Sequence, residues 1–314
     1  MRTSHHPIDP GTVLPRREFL QLAGASLLGA AAVPRLGRVA LPDSVASSRA
    51  RLGMQLYTVR DAIKLDMPGT LRRVASLGFE GVETAFWPDG VTIAQASAAL
   101  RDAGLSVSSC HIELPMGDKR QVMLDTAAAF RCTAMIWHGW PEDPRYGSLE
   151  GTKALAKIYN ESNHIAKDNG LRFGLHNHWW EYRNKVGFKY VFEVLLEETE
   201  PDIFFEVDTY WVKVAGHNPA DIVRRLGSRA PMLHIKDGPA VYHANLAADN
   251  PDPMTAVGAG TQDFPAIARA ANGNTDWMIV EMDKVSGDVF QALNASADYL
   301  VRNALVRGRG SRTG

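Results

Sequence analysis

Residue types able to do acid–base or metal chemistry recur along this chain at intervals, each time at the end of a short β-branched run. In order they are Gln55, Glu83, His111, His138, His176 with His178, Asp208, His234 with Lys236, and Glu281 with Asp283. One buried His or Asp is ordinarily a satisfied structural residue. A series of them at consecutive strand ends is not, because each charge held away from water is costly unless a metal or a substrate compensates it. Successive strand residues face opposite sides, so His176 and His178 share a direction, as do Glu206 and Asp208, and His234 and Lys236. Asp208, after the apolar pair Phe204 and Phe205, reads as an inward ligand, with Glu206 one layer deeper unless a bulge displaces both. Carboxylates and imidazoles drawn from different strands make a hard, mixed oxygen–nitrogen site. Such a set suits one divalent ion, Mn²⁺, Mg²⁺, Co²⁺ or Zn²⁺, better than Cu(I) or an iron–sulfur cluster. No organic cofactor is called for.

Sulfur takes no part in this set. Cys110 adjoins His111 but points away from it, and Cys132 precedes the fourth strand. The two cysteines are expected toward opposite ends of adjacent strands, too far apart for a disulfide.

Eight strand–helix alternations must position these groups. The strands read as 52–57, 81–85, 105–111, 134–138, 171–178, 203–209, 232–236 and 277–282. The helices between and after them read as 70–77, 93–103, 121–130, 149–169, 191–198, 219–225, 264–271 and 289–305. This rhythm predicts a single-domain (β/α)₈ TIM barrel over 52–305, with its chemistry at the carboxyl ends of the strands. A doubly wound sheet would want a Gly-rich turn after the first strand, and Tyr57-Thr58-Val59-Arg60 supplies none.

The same strings resemble the xylose-isomerase-like sugar isomerase/epimerase barrels from about Leu52 to Leu305. The likeness lies in Gln55-Leu56-Tyr57-Thr58-Val59-Arg60, Leu175-His176-Asn177-His178-Trp179-Trp180-Glu181-Tyr182, Glu206-Val207-Asp208-Thr209-Tyr210-Trp211-Val212, His234-Ile235-Lys236-Asp237 and Val280-Glu281-Met282-Asp283. Gly258-Ala259-Gly260-Thr261-Gln262-Asp263-Phe264 resembles the Gly-rich turn before the family's penultimate helix. The resemblance implies one divalent metal held by Asp208, His234 and Glu281. The carboxylate usual at the fifth strand is replaced by His176. Glu181, a short turn further on, is the first choice for the fourth ligand and His176 the second. It also implies proton abstraction next to a carbonyl through an enediolate, with the metal as Lewis acid and Glu281 or Glu181 as base. Lys236 and His138 would complete the catalytic set as second acid or hydroxyl binder. His111, His176, His178, Gln55, Trp140 and Trp179 would bind substrate, with Trp137 a further stacking candidate.

The chain has 314 residues, 34 Lys and Arg against 35 Asp and Glu, and a formal charge of -1. That balance excludes a nucleic-acid binder and disfavours polyanionic substrates. Ahead of the barrel, Arg16-Arg17-Glu18-Phe19-Leu20 and an apolar run of about 14 residues to Val33 resemble a twin-arginine export signal, too short for a membrane span. The expected division is therefore a leader over 1–43, a linker over 44–51, the barrel over 52–305 and a tail over 306–314. The expected product is periplasmic or secreted, exported by the twin-arginine machinery, a monomer or homodimer acting on a small carbohydrate. The first reading is a metal-dependent sugar isomerase or epimerase. A lyase or hydratase acting on keto-sugars or 3-keto-glycosides is the alternative. A non-catalytic carbohydrate-binding barrel is the reading from another class, and an endonuclease of this fold would need more His and Asp ligands.

Overall fold

The computed structural model describes residues 50–308, and the twin-arginine string, the leader, most of the linker and residues 309–314 lie outside them. Eight parallel strands close on themselves, each followed by a helix. They are β1 (Arg51–Gln55), β2 (Gly81–Thr84), β3 (Ser106–Ile112), β4 (Ala134–Trp137), β5 (Arg172–His176), β6 (Phe204–Asp208), β7 (Met232–Ile235) and β8 (Trp277–Val280). Neighbours pair in chain order, and β8 returns to β1 through Arg51↔Trp277 and Met54↔Val280. Helices α1 (Met67–Ser76), α2 (Ile93–Asp102), α3 (Arg120–Phe130), α4 (Leu149–Asp168), α5 (Val191–Glu198), α6 (Pro219–Leu226), α7 (Phe264–Ala271) and α8 (Val289–Arg302) complete the units. This is the (β/α)₈ barrel that the alternation predicts.

Local chemistry fixes the boundaries. Asp66 accepts the Gly69 N–H and Pro68 sits in the first turn, so α1 starts three residues before its expected place. Thr92 and Gln95 form a capping box on α2. Several strands stop before their expected ends. His138, His178, Lys236, Glu281 and Asp283 all lie beyond the last residue of their strands, at the start of the following loops.

The inward-facing positions form layers. Ala134, Ile136, Phe204, Met232, Trp277 and Ile279 make a small apolar cluster of their own, separate from the larger core between strands and helices. Gly174 belongs to the same region: a Cβ there would come within 2.3 Å of the Phe204 ring, so the missing side chain is what lets Phe204 fill the barrel. Two residues further along β6 and β7 the inward positions are Glu206 and His234, where apolar filling gives way to ionisable groups.

The expectation for the cysteines needs correction. Cys110 and Cys132 are free and buried, but their sulfurs are 2.9 Å apart rather than at opposite ends. Cys110 pairs with Met135 across β3 and β4, which places it beside the segment that leads into β4. Among the described residues no helix is long and apolar enough to cross a membrane.

Candidate active site

The deepest polar layer joins two carboxylates to three imidazoles. Glu206 Oε2 lies 2.7 Å from His111 Nε2, 3.2 Å from His176 Nδ1 and 3.2 Å from His234 Nε2. Glu83 Oε1 lies 2.8 Å from His234 Nε2 and 3.0 Å from His111 Nε2, while Ser109 donates to its other oxygen at 2.5 Å. Burial alone would lower the His111 pKa, but Glu83 and Glu206 push it up to about 10. His176 goes the other way: burial and the neighbouring His234 and His111 hold it well below its usual range, so it stays a neutral imidazole. Gln55 brackets the layer from β1, its amide nitrogen 3.3 Å from His111 Nδ1.

Directly above lies a second cluster, Asp208, His234 and Glu281. Its geometry follows from local structure. Asp208 caps the short helix Thr209–Val214: its Oδ1 accepts the Tyr210 and Trp211 N–H groups, which leaves Oδ2 aimed inward. Asn177 pins the same residue by accepting the Asp208 N–H at 2.9 Å. His234 turns Nε2 toward Glu83 and Glu206, so its Nδ1 faces the cluster, 2.7 Å from Glu281 Oε2. Asp208 Oδ2, His234 Nδ1 and Glu281 Oε2 are all buried without a hydrogen bond of proper geometry.

Two carboxylate oxygens and one imidazole nitrogen, buried and converging within 4.8 Å of one another, fit a divalent cation. The oxygen–nitrogen mixture is the donor chemistry of Mg²⁺, Mn²⁺, Co²⁺ or Zn²⁺. A ligand histidine whose far nitrogen is held by a carboxylate is the usual second tier of such a site. Lys236 sits beside it as a resident cation, 2.7 Å from Asp283 Oδ2, 2.8 Å from Glu281 Oε2 and 3.0 Å from Asp208 Oδ2. Its salt bridge to Asp283 gives the ammonium a partner outside the cluster.

Of these groups Lys236, Glu281 and Asp283 open onto a cavity of about 240 Å³. Gln55, His111, His138, His176, His178, Trp140, Lys236 and Glu281 line it, as expected, together with Tyr57, Phe86 and Asp283. His138 is neutral, its pKa lowered to about 4 by burial and by His111. The Trp140 N–H donates to its Nδ1, so Nε2 carries the proton and faces Glu113 at 3.3 Å. His178 stacks on Trp180 at 4.3 Å and is likewise held well below its usual range by burial and Lys236.

Two expected site residues lie elsewhere. Glu181 belongs to the short helix Trp180–Arg183, and its carboxylate turns back to accept the His178 N–H at 2.9 Å. It lines a separate, much smaller cavity with Trp137, Tyr146 and Tyr159, where burial pushes its pKa up to about 8. His176 is the β5 group nearest the cluster, with Nε2 3.9 Å from Asp208 Oδ2. Trp179 is buried against Trp180 and Trp211, each at 4.9 Å, and does not reach the cavity.

Asp237 organises the neighbouring loop. Its carboxylate accepts the N–H groups of Gly238, Gly258, Gly260, Thr261 and Gln262 at 2.8–3.2 Å. A Cβ at Gly260 would lie 2.2 Å from Asp237 Oδ1, so the glycine in that turn is a requirement of close approach.

The family profile described as xylose isomerase-like TIM barrel matches residues 71–302. No curated protein matches the sequence. Among solved structures, a sugar phosphate isomerase/epimerase from Parabacteroides distasonis is 24% identical, with a TM-score of 0.62 over 80% of this chain and 93% of its own. An L-ribulose 3-epimerase is 16% identical, with a TM-score of 0.59 over 82% of this chain and 94% of its own. A 3-keto-D-glucoside 4-epimerase from E. coli is 17% identical, with a TM-score of 0.54 over 80% of this chain and 99% of its own. At these identities the likeness is one of fold.

Proposed function

The chain belongs to the xylose isomerase-like TIM barrel family, and from that premise we propose that it is a divalent-metal-dependent isomerase or epimerase of an unphosphorylated sugar. The observation that carries the reading is the convergence of Asp208 Oδ2, His234 Nδ1 and Glu281 Oε2, buried within 4.8 Å of one another beside the cavity that Glu281 lines. A divalent ion held by these atoms, with His176 the nearest further donor, would supply Lewis-acid polarisation of the sugar carbonyl and its neighbouring hydroxyl.

The chain's own residues do the rest. Against the upward push of burial, Lys236 and His234 hold the Glu281 carboxyl far below its usual range, so it is ionised at any working pH. It takes the proton from the carbon next to the carbonyl, and return of a proton to the neighbouring carbon isomerises the sugar, or to the opposite face of the same carbon epimerises it. Lys236 balances the developing negative charge from its place between Asp208, Glu281 and Asp283. His138 and His178, neutral on the cavity wall, hydrogen-bond hydroxyls without adding charge. Glu181 is left out of the ligand set because its carboxylate is turned away and engaged by the His178 N–H.

The wall also argues against a phosphate. Among the described residues Lys236 is the one Lys or Arg that lines the cavity, and three carboxylates already surround it. Among the described residues a sugar phosphate would find no unpaired basic side chain on this wall.

The test is turnover of free sugars and keto-glycosides in D₂O by the metal-loaded protein. Deuterium appearing next to the carbonyl in an isomer of unchanged connectivity is the expected result. Release of the glycosidic substituent would instead make the protein a lyase. No deuterium uptake from any sugar would rule out proton-abstraction chemistry.

A further inference from the structure

We propose that Phe86 and Trp140 form an outer subsite for a second ring, so that the substrate is a glycoside or disaccharide rather than a free monosaccharide. The proposal rests on the sugar-enzyme reading above and narrows its substrate class. Phe86 is 59% and Trp140 43% exposed, and both stand on the wall of the same cavity, so they form an apolar pair at a site rather than scattered surface residues. The cavity floor, by contrast, is polar, built from histidines, carboxylates and Lys236. A pyranose offers two chemistries that match this division: hydroxyls for a polar floor, and a C–H face that lies flat on an aromatic ring.

Placement supports the division. Asp208, His234, Lys236 and Glu281 come from the ends of β6, β7 and β8, whereas Phe86 and Trp140 follow β2 and β4 on the opposite half of the barrel. A ring whose carbonyl meets the carboxylates therefore points its far side at the aromatic pair. Both aromatics are anchored on one buried residue. The Phe86 ring meets His138 edge-on at 5.4 Å, and the backbone N–H of Trp140 donates to His138 Nδ1 at 3.2 Å, which fixes where the Trp140 side chain leaves the loop. The platform is thus held by the same wall that binds the reacting sugar. At about 240 Å³ the cavity is smaller than the roughly 300–1,000 Å³ of pockets that enclose drug-sized ligands. It encloses one ring and leaves a second at the mouth, against Phe86 and Trp140. Tyr57, also on the wall, is covered by the Arg60 guanidinium at 4.1 Å and is not available for the same use.

Calorimetric titration of the metal-loaded protein with unreactive methyl and phenyl glycosides of glucose, galactose, mannose and xylose tests this. For each sugar that binds, the phenyl glycoside is expected to bind about tenfold more tightly than the methyl glycoside. In Trp140→Ala and Phe86→Ala that ratio should fall toward one, and Trp140→Phe should restore most of it. Equal binding of methyl and phenyl glycosides by the unaltered protein would overturn the subsite and leave the sugar-enzyme reading standing. So would a ratio that survives both alanine variants. Binding of none of the sugars would overturn both.

Discussion

Replacing Glu281 with Gln is expected to slow exchange of the carbon-bound hydrogen in D₂O by about 10²–10⁴-fold, the usual contribution of a positioned general base. The substitution keeps the shape of the side chain and removes the charge and the proton-accepting power. Asp208 and Asp283 still flank Lys236 at 3.0 and 2.7 Å, so the lysine is not stranded and the fold should survive. Because the loss falls on the transition state, kcat and kcat/KM should drop together. NMR of the substrate's C–H signal reads the rate, and thermal melting checks the fold. A variant that exchanges within about threefold of the unaltered protein would remove Glu281 from the chemistry.

The second large effect concerns stability. Glu206→Leu is expected to cost about 3–5 kcal/mol, because it removes the carboxylate that three buried imidazoles share. For a barrel of this size that corresponds to a fall in Tm of roughly 6–20 °C. The argument is asymmetric: replacing a whole ionic cluster with apolar groups can be neutral, whereas removing Glu206 alone leaves Glu83 to face both His111 and His234. Glu206→Gln, which keeps an acceptor oxygen, should cost less. Differential scanning calorimetry decides; a Glu206→Leu melt within about 2 °C of the parent would mean that the layer does not depend on this charge.

The fold was legible because every unit announces itself locally. Short apolar runs, Pro at the start of α1, α6 and α7, and Gly after α1, α2, α4 and α6 mark the alternation without reference to tertiary contacts. The grouping of the candidate site was legible for the same reason: period-two alternation puts Glu206 and Asp208, or His234 and Lys236, on one side whatever the rest of the barrel does. What failed depended on groups the chain cannot show in one dimension. Glu181 follows β5 as closely as a ligand should, yet the short helix Trp180–Arg183 turns its carboxylate back to the His178 N–H. Trp179 looks like a stacking platform in sequence and is consumed by packing on Trp180 and Trp211. The contact between Cys110 and Cys132 arises from the stagger between β3 and β4, which a strand-by-strand reading does not contain. Glu83 was visible as a strand-end carboxylate, but its service to His234, 151 positions away in the chain, exists only in the closed barrel. Phe86 carried no signal beyond being a loop aromatic, and Asp237 none beyond its place beside Lys236.

The claim on which the rest depends is that Asp208, His234 and Glu281 hold a divalent ion. Elemental analysis of protein purified without chelators measures this directly, compared side by side with the Asp208→Ala variant. The account predicts about one equivalent of Mn²⁺, Mg²⁺, Co²⁺ or Zn²⁺ per chain, largely lost in Asp208→Ala. Metal-free native protein that cannot be loaded by dialysis against any of these ions, or an Asp208→Ala variant that retains its metal in full, would contradict it.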